Sequence, residues 1–251
     1  MNVADRLAGL HFTAQHEASP DLDQVEITQL DPFLRSVLFT DGTVSRALEA
    51  HTLEDVAVEA VEQAPSPAPE RVARYLGVPQ AEECVRRRVA MRIGGAGVSV
   101  WAESHVVPRR LPREFLELLE GDPQGIGGSL QQLRLESWRE LLWFGLGPPP
   151  QWADGATPGA TSLTRAYRVL TQGAPALLIS EAFVVELRAG LYHLTGPPES
   201  DAATANGAAN GSAAANANGS ATANGSAQSR PGAVAIAGSR PAVGSGASPS
   251  L

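Results

Sequence analysis

Glu83-Cys84-Val85-Arg86-Arg87-Arg88-Val89-Ala90-Met91-Arg92 reads as a β-strand with three consecutive arginines at its centre. Side chains alternate faces along a strand, so Arg86, Arg88, Ala90 and Arg92 share one face, while Arg87, Val89 and Met91 take the other. Whichever face turns inward, at least one guanidinium is carried toward the interior of the sheet. A buried guanidinium is costly unless an anion meets it, and its planar fork matches a carboxylate. The alternative is a solvated face whose arginines pair with surface acids. The strand by itself leaves both readings open. It runs through Gly94-Gly95-Ala96-Gly97 into a second strand, Val98 to Val107, which makes a β-hairpin with a glycine-rich turn.

Working outward, Asp31-Pro32 has the form of an N-cap followed by proline at the first helical position, leading Phe33 to Leu38 into a short helix. Asp41-Gly42 breaks it, and Val44 and Leu48 fall at helical spacing after Thr43. Val56 to Glu62 alternates as a one-sided strand, followed by a proline-rich loop from Ala64 to Pro69 and a helix from Glu70 to Leu76 closed by Gly77. Beyond the hairpin, Arg113 to Leu119 is an amphipathic helix, Ile126 to Gln132 a helical turn, and Leu133 to Trp138 alternates again. Two further strands, Thr164 to Leu170 and Ala176 to Glu186, complete about six. Few connections are long enough for a crossover helix. The expected fold is α+β, a single antiparallel sheet with helices on one side and over its ends.

Three segments follow from composition. Residues 1–29 read as a polar, irregular N-terminal arm and residues 30–197 as the domain. Residues 198–251 are nearly all Ala, Asn, Gly, Ser, Thr and Pro, and are expected to be a disordered low-complexity tail. The chain carries a net charge of −8, and setting the tail aside leaves it unchanged because Glu199 and Asp201 offset Arg230 and Arg240. That acidity argues against nucleic acid or an anionic membrane as the main partner. All 19 cationic residues are arginine, which excludes a lysine Schiff base and a P-loop. The single cysteine, Cys84, excludes an intrachain disulfide. The N-terminus has no signal-peptide pattern, and no apolar run reaches membrane-spanning length, so a cytoplasmic location is expected.

The five histidines are dispersed, none at metal-ligand spacing, and no metal site is expected. Gly94, Gly95 and Gly97 precede a strand and so fail as a dinucleotide fingerprint. No serine sits in a nucleophile elbow. What remains is the arginine strand and one acid, Glu181, which interrupts the apolar strand Leu177-Leu178-Ile179-Ser180-Glu181-Ala182-Phe183. A carboxyl there either meets a positive partner, such as Arg168 on the neighbouring strand, or has a raised pKa. Glu103 is a weaker case of the same kind.

Four stretches, in order, resemble the chorismate pyruvate-lyase family, in particular its actinobacterial 4-hydroxybenzoate-forming branch. They are Leu34 to Leu38 with Asp41 to Arg46; the hairpin from Arg86 to Pro108 with Ala102-Glu103-Ser104; Gly125-Ile126-Gly127 with Glu136-Ser137-Trp138; and Arg165 to Arg168 through Gly173-Ala174-Pro175 to Phe183. The related superfamily also contains the effector-binding (UTRA) domains of transcription regulators. The resemblance implies a cofactor-free lyase that converts chorismate to 4-hydroxybenzoate and pyruvate for secondary metabolism or a quinone or glycolipid precursor, and a monomer. It places the catalytic-site glutamate on Glu181, a backbone ligand contact near Ile126 and Gly127, and a wall residue on Val44. The carboxylate-binding arginine falls on Arg88 with one placement of the hairpin gap and on Arg86 with another. Some relatives carry an arginine where this chain has Glu103-Ser104, which leaves Arg165 or Arg168 to meet the second carboxylate. A stand-alone small-molecule sensor, binding without turnover, is the alternative.

Overall fold

The computed structural model describes residues 2–121 and 125–195; the tail expected over 198–251 lies outside the described residues. The hairpin forms as the sequence indicates, with β2 at Glu83–Ile93 and β3 at Val98–Val106. Gly94 and Gly95 between them take positive φ of 56° and 73°, which side chains with a Cβ rarely adopt. β1, Val56–Pro67, pairs along the outer side of β2. β4, Ser137–Gly147, β5, Thr161–Thr171, β6, Ala174–Arg188, and β7, Leu191–Leu194, complete the strands of the described residues. The order is β1-β2-β3-β6-β5-β4, every neighbouring pair is antiparallel, and β7 pairs with the far end of β6. The α+β architecture expected from the sequence is the one observed.

Helices α2, Pro32–Phe39, α3, Val44–Thr52, α5, Arg113–Gly121, and α6, Gly125–Gln132, cover one face. Leu34, Val37, Leu38, Val44, Leu48, Phe115, Leu119 and Leu130 from these helices pack with Val89, Met91, Ile93, Val100, Ile179 and Phe183 of the sheet in the main core. Asp31 caps α2 as expected: its side chain accepts from the Leu34 backbone N–H at 2.6 Å. It also lies 3.0 Å from His193 of β7. α4, Glu70–Leu76, lies over one end of the opposite face, where Val72, Ala73 and Leu76 pack on Cys84 and Val107.

Three expectations need correction. Residues 3–11 are not irregular: α1 spans Val3–His11, started by the Asn2 side chain accepting from the Asp5 N–H. The N-terminal segment then runs along the outer edge of β4, with Thr13 and Ala14 donating to the Leu141 and Leu142 carbonyls and Asp23 bridging Leu146. The proline-rich loop at Ala64 to Pro69 is mostly strand, with Pro65 opposite Val85 and Pro67 opposite Glu83. Proline lacks a donor, and an edge strand is where a sheet tolerates that loss. Leu133 to Glu136 are not strand; β4 starts only at Ser137.

Replacing Asp31 with alanine removes the cap and the His193 contact together. We expect Asp31→Ala to cost about 1–2 kcal/mol, read as a lowered urea midpoint with unchanged slope.

Candidate active site

The face of β2 that turns toward the helices is set by bulk. Val89, Met91 and Ile93 fill the core, and alternation puts Arg87 beside them, 3% exposed. Across the sheet Arg87 stands opposite Ser104, Ser104 opposite Ile179, and Ile179 opposite Tyr167. The next row carries Val89, Ala102, Glu181 and Arg165 in the same way. Above these rows a pocket of about 560 Å³, its mouth included, is enclosed by the starts of α3 and α6. Thr43, Val44 and Ser45 come from one, Gly125, Ile126 and Gly127 from the other, and Arg87, Arg139, Tyr167 and Glu181 from the sheet. The two helix starts touch: a Cβ at Gly127 would sit 2.7 Å from the Thr43 hydroxyl oxygen. Both direct their N-terminal partial positive charge toward the same space.

Glu181 is 4% exposed and accepts one donor on each oxygen. Its Oε2 accepts from Arg165 Nε at 2.8 Å, and its Oε1 accepts from the Tyr167 hydroxyl at 3.0 Å. Burial, aided by the Glu181 carboxylate, pushes the Tyr167 phenol well above its ordinary range, so it stays a donor. Arg165 is completely buried. Its Nη1 donates to the Val37, Leu38 and Thr40 carbonyls at the end of α2. The ring centroids of Tyr167 and Phe183 lie 5.0 Å and 5.9 Å from its guanidinium. Arg87 donates from Nη1 to the Gln63 side chain at 2.9 Å and to the Leu119 carbonyl at 3.2 Å. Arg139 has no carboxylate partner among the described residues; its Nε is buried without a hydrogen bond, and its guanidinium lies 5.7 Å from the Tyr167 ring.

The pocket therefore brings together Val44, Ile126, Gly127 and Glu181 of the residues singled out from sequence, and it leaves out Arg86, Arg88 and Arg168. Arg86 and Arg88 point to the opposite face because their neighbours Val89 and Met91 take the inner one. Arg86 pairs with Glu62; Arg88 pairs with Glu62 at 2.9 Å and Glu103 at 2.6 Å, 5.1 Å from the Trp152 ring. Arg168 is also on that face, bonded to Glu140 at 2.9 Å and to the Tyr75 carbonyl of α4 at 2.9 Å. The partner of Glu181 is Arg165, not Arg168. Arg87 and Arg139 line the pocket and were not singled out from sequence. The signal for Arg87 was its parity with Val89 and Met91; Arg139 follows from its parity with Leu141 once β4 is placed correctly. Among the described residues no cluster of His, Cys, Asp or Glu is arranged to hold a metal, and no helix is long and apolar enough to cross a membrane.

A single-sheet α+β domain with a carboxylate and arginines converging under two helix starts belongs to the class of small-molecule-binding domains. The chain belongs to the Rv2949c-like chorismate pyruvate-lyase family, whose model matches residues 38–191. It is similar to the chorismate pyruvate-lyase of Mycobacterium leprae (strain TN), 27% identical over 169 residues that cover 65% of this chain and 79% of that protein. The chorismate pyruvate-lyase of Mycobacterium tuberculosis (strain ATCC 25618 / H37Rv) is 24% identical over 169 residues, 65% of this chain and 85% of that one. Among solved structures it is similar to the effector domain of PhnF from Mycobacterium smegmatis, 12% identical with a TM-score of 0.46 over 57% of this chain and 88% of that one. A GntR-family transcriptional regulator from Bacillus cereus is 14% identical with a TM-score of 0.41 over 51% and 91%.

Two outcomes are expected. Arg165→Met leaves the Glu181 carboxylate buried without its cation and should cost about 3–5 kcal/mol in denaturant unfolding, part of which the double variant Arg165→Met/Glu181→Met regains. On the opposite face, burial works to raise the Glu103 carboxyl, but hydrogen bonds from His105 and Arg88 outweigh it and hold it down at about 2. The folded value lies below the ordinary 4.5, so this stabilisation is present above pH 4.5 and is lost as pH falls toward about 2. Glu103→Gln should flatten the acid limb of a stability–pH curve in that window.

Proposed function

We propose that this chain is a chorismate pyruvate-lyase that releases 4-hydroxybenzoate and pyruvate. The observation that carries the reading is the convergence of Arg87, Arg139 and Glu181 on one enclosed pocket in a chain of this family. Chorismate bears two carboxylates, on the ring and on the enolpyruvyl group. Arg87, with the helix starts at Thr43 and Gly125 beside it, is suited to one of them; Arg139, without a carboxylate partner among the described residues, is suited to the other. Held at both ends in a closed site, the substrate has little freedom left to lose before reaction.

Glu181 accepts one hydrogen bond on each oxygen, from Arg165 and from Tyr167. That fits a hydrogen-bond acceptor for the ring 4-hydroxyl or a base for the proton on the same carbon. In the base role, the carbon–hydrogen pair becomes a ring double bond and the ring becomes aromatic. The ether carbon–oxygen bond breaks, and its electron pair leaves as the enolate of pyruvate. The enolate takes up a proton at its methylene carbon, so atoms balance with no oxidant or reductant. Negative charge moves toward the leaving enolate, where a fixed guanidinium stabilises it most.

Purified protein incubated with chorismate should form 4-hydroxybenzoate and pyruvate in equal amounts, identified by mass and a coupled pyruvate assay. Arg87→Ala and Glu181→Gln should each lower kcat/KM by about 100-fold or more, whereas Arg88→Ala should stay within about threefold. Chorismate bound but unconsumed would favour a sensor instead. Full turnover in Arg87→Ala would remove that residue from the site.

A further inference from the structure

The face of the sheet turned away from Glu181 holds a second cavity, beside α4. Tyr75, Trp143, Ala166 and Leu178 give it aromatic and apolar walls, and Arg71, Glu103, His105 and Ser180 supply polar groups, the Glu103 carboxylate being paired with Arg88. Its empty space is about 490 Å³, mouth included, against about 560 Å³ for the pocket on the other face. Two of its lining side chains are buried with an unmatched polar atom. Among the described residues, Trp143, 8% exposed, has no hydrogen-bond partner for its indole Nε1, and His105, 7% exposed, has none for its Nδ1. Leaving such atoms dry and unmatched is costly, and indole N–H groups in protein interiors nearly always find an acceptor.

The charge around the cavity has one sign to spare. Arg86 and Arg88 are matched by Glu62 and Glu103, and Arg74 by Glu17. Arg71 donates to the Glu17 backbone carbonyl; its charge acts on the Glu17 carboxylate, but Arg74, not Arg71, makes the ion pair with it. Its guanidinium lies 5.3 Å from the Trp143 ring and 5.8 Å from the Tyr75 ring. His105 is oriented by Glu103, whose carboxylate lies 3.3 Å from Nε2. With Nε2 turned to that carboxylate, Nδ1 is the ring nitrogen left without a hydrogen-bond partner among the described residues.

We propose that this cavity is a second small-molecule site, which takes a compact aromatic carboxylate. Its ring packs against Tyr75, Trp143 and the wall of Ala166 and Leu178, and its carboxylate meets Arg71, the Trp143 indole N–H and His105. The site stands whether or not the chain turns chorismate over. Successive residues of β6 reach the two cavities, Ser180 this one and Glu181 the other.

The test is a benzoate titration of the 15N-labelled full chain, followed by the indole N–H signals of its four tryptophans. Trp143→Phe assigns the signal that belongs to this cavity. We expect that signal to move downfield and saturate with a dissociation constant of about 1 mM, to weaken about tenfold in Arg71→Ala, and to be unchanged in Arg87→Ala. If Arg71→Ala loses the dispersed spectrum of a folded chain, Arg71→Gln serves in its place. A Trp143 signal that stays still at high benzoate would mean that water alone fills the cavity, and would overturn the proposal. So would a response that Arg87→Ala abolishes and the Arg71 variants spare, because the benzoate would then lie in the other pocket.

Discussion

The arrangement of the candidate site depends on one buried ion pair, Arg165 with Glu181. β5 and β6 are joined by a two-residue turn, Gln172-Gly173, that sets the register placing these residues opposite each other. The same guanidinium then reaches past the sheet to the carbonyls that end α2. α3 begins five residues after α2 ends, and its first residues roof the pocket. A single side chain therefore fastens the carboxylate, the strand pair and the roof to one another. Ion pairs of this kind add little net stability over an apolar filling, because desolvation offsets attraction. What this one governs is geometry: it holds Glu181 at fixed donors on both oxygens while the open side of the group faces the cavity.

The parts of this structure that were legible in the sequence are those governed by local stereochemistry. The hairpin with its glycine turn, the Asp31-Pro32 helix start and the Glu70 to Leu76 helix ended by Gly77 all formed where short-range rules put them. The N-terminal helix was missed because its apolar residues, among them Val3 and Leu10, remain exposed and give no clear stripe. The strand nature of Pro65 and Pro67 depends on β1 lying at an edge, which only the tertiary order of the sheet decides. The site divided along the same line. Glu181 stood out because an acid in an apolar strand is conspicuous. The arginine that lines this pocket stands between the two singled out from sequence, since in a triple repeat every position looks alike until the bulk of Val89 and Met91 is used to choose the inner face.

That one-residue alternation also explains how an acidic chain concentrates cations on both sides of one sheet. Arg87 and Arg139 face the helices and line the pocket with Glu181. Arg86, Arg88, Arg92 and Arg168 face the other way, each matched by a glutamate of a neighbouring strand. Pairing on the second face ties β1, β2 and β3 together through Glu62 and Glu103 and anchors α4 through the Tyr75 carbonyl. The triple arginine is thus neither wholly a ligand trap nor wholly a solvated run. Its middle member belongs to the pocket and its flanking members to the scaffold.

The two margins of the sheet are guarded differently. Along β4, backbone from Thr13 to Asp23 occupies hydrogen-bonding positions that another chain would otherwise seek, and Gly145 and Gly147 let it lie close. Along β1, Pro65 and Pro67 withhold donors, and Glu59 and Glu62 put charge at the boundary. A sheet finished in this way offers no template for strand-by-strand growth. The seven-stranded sheet of the described residues thus has one border covered by backbone and the other interrupted by proline and charge.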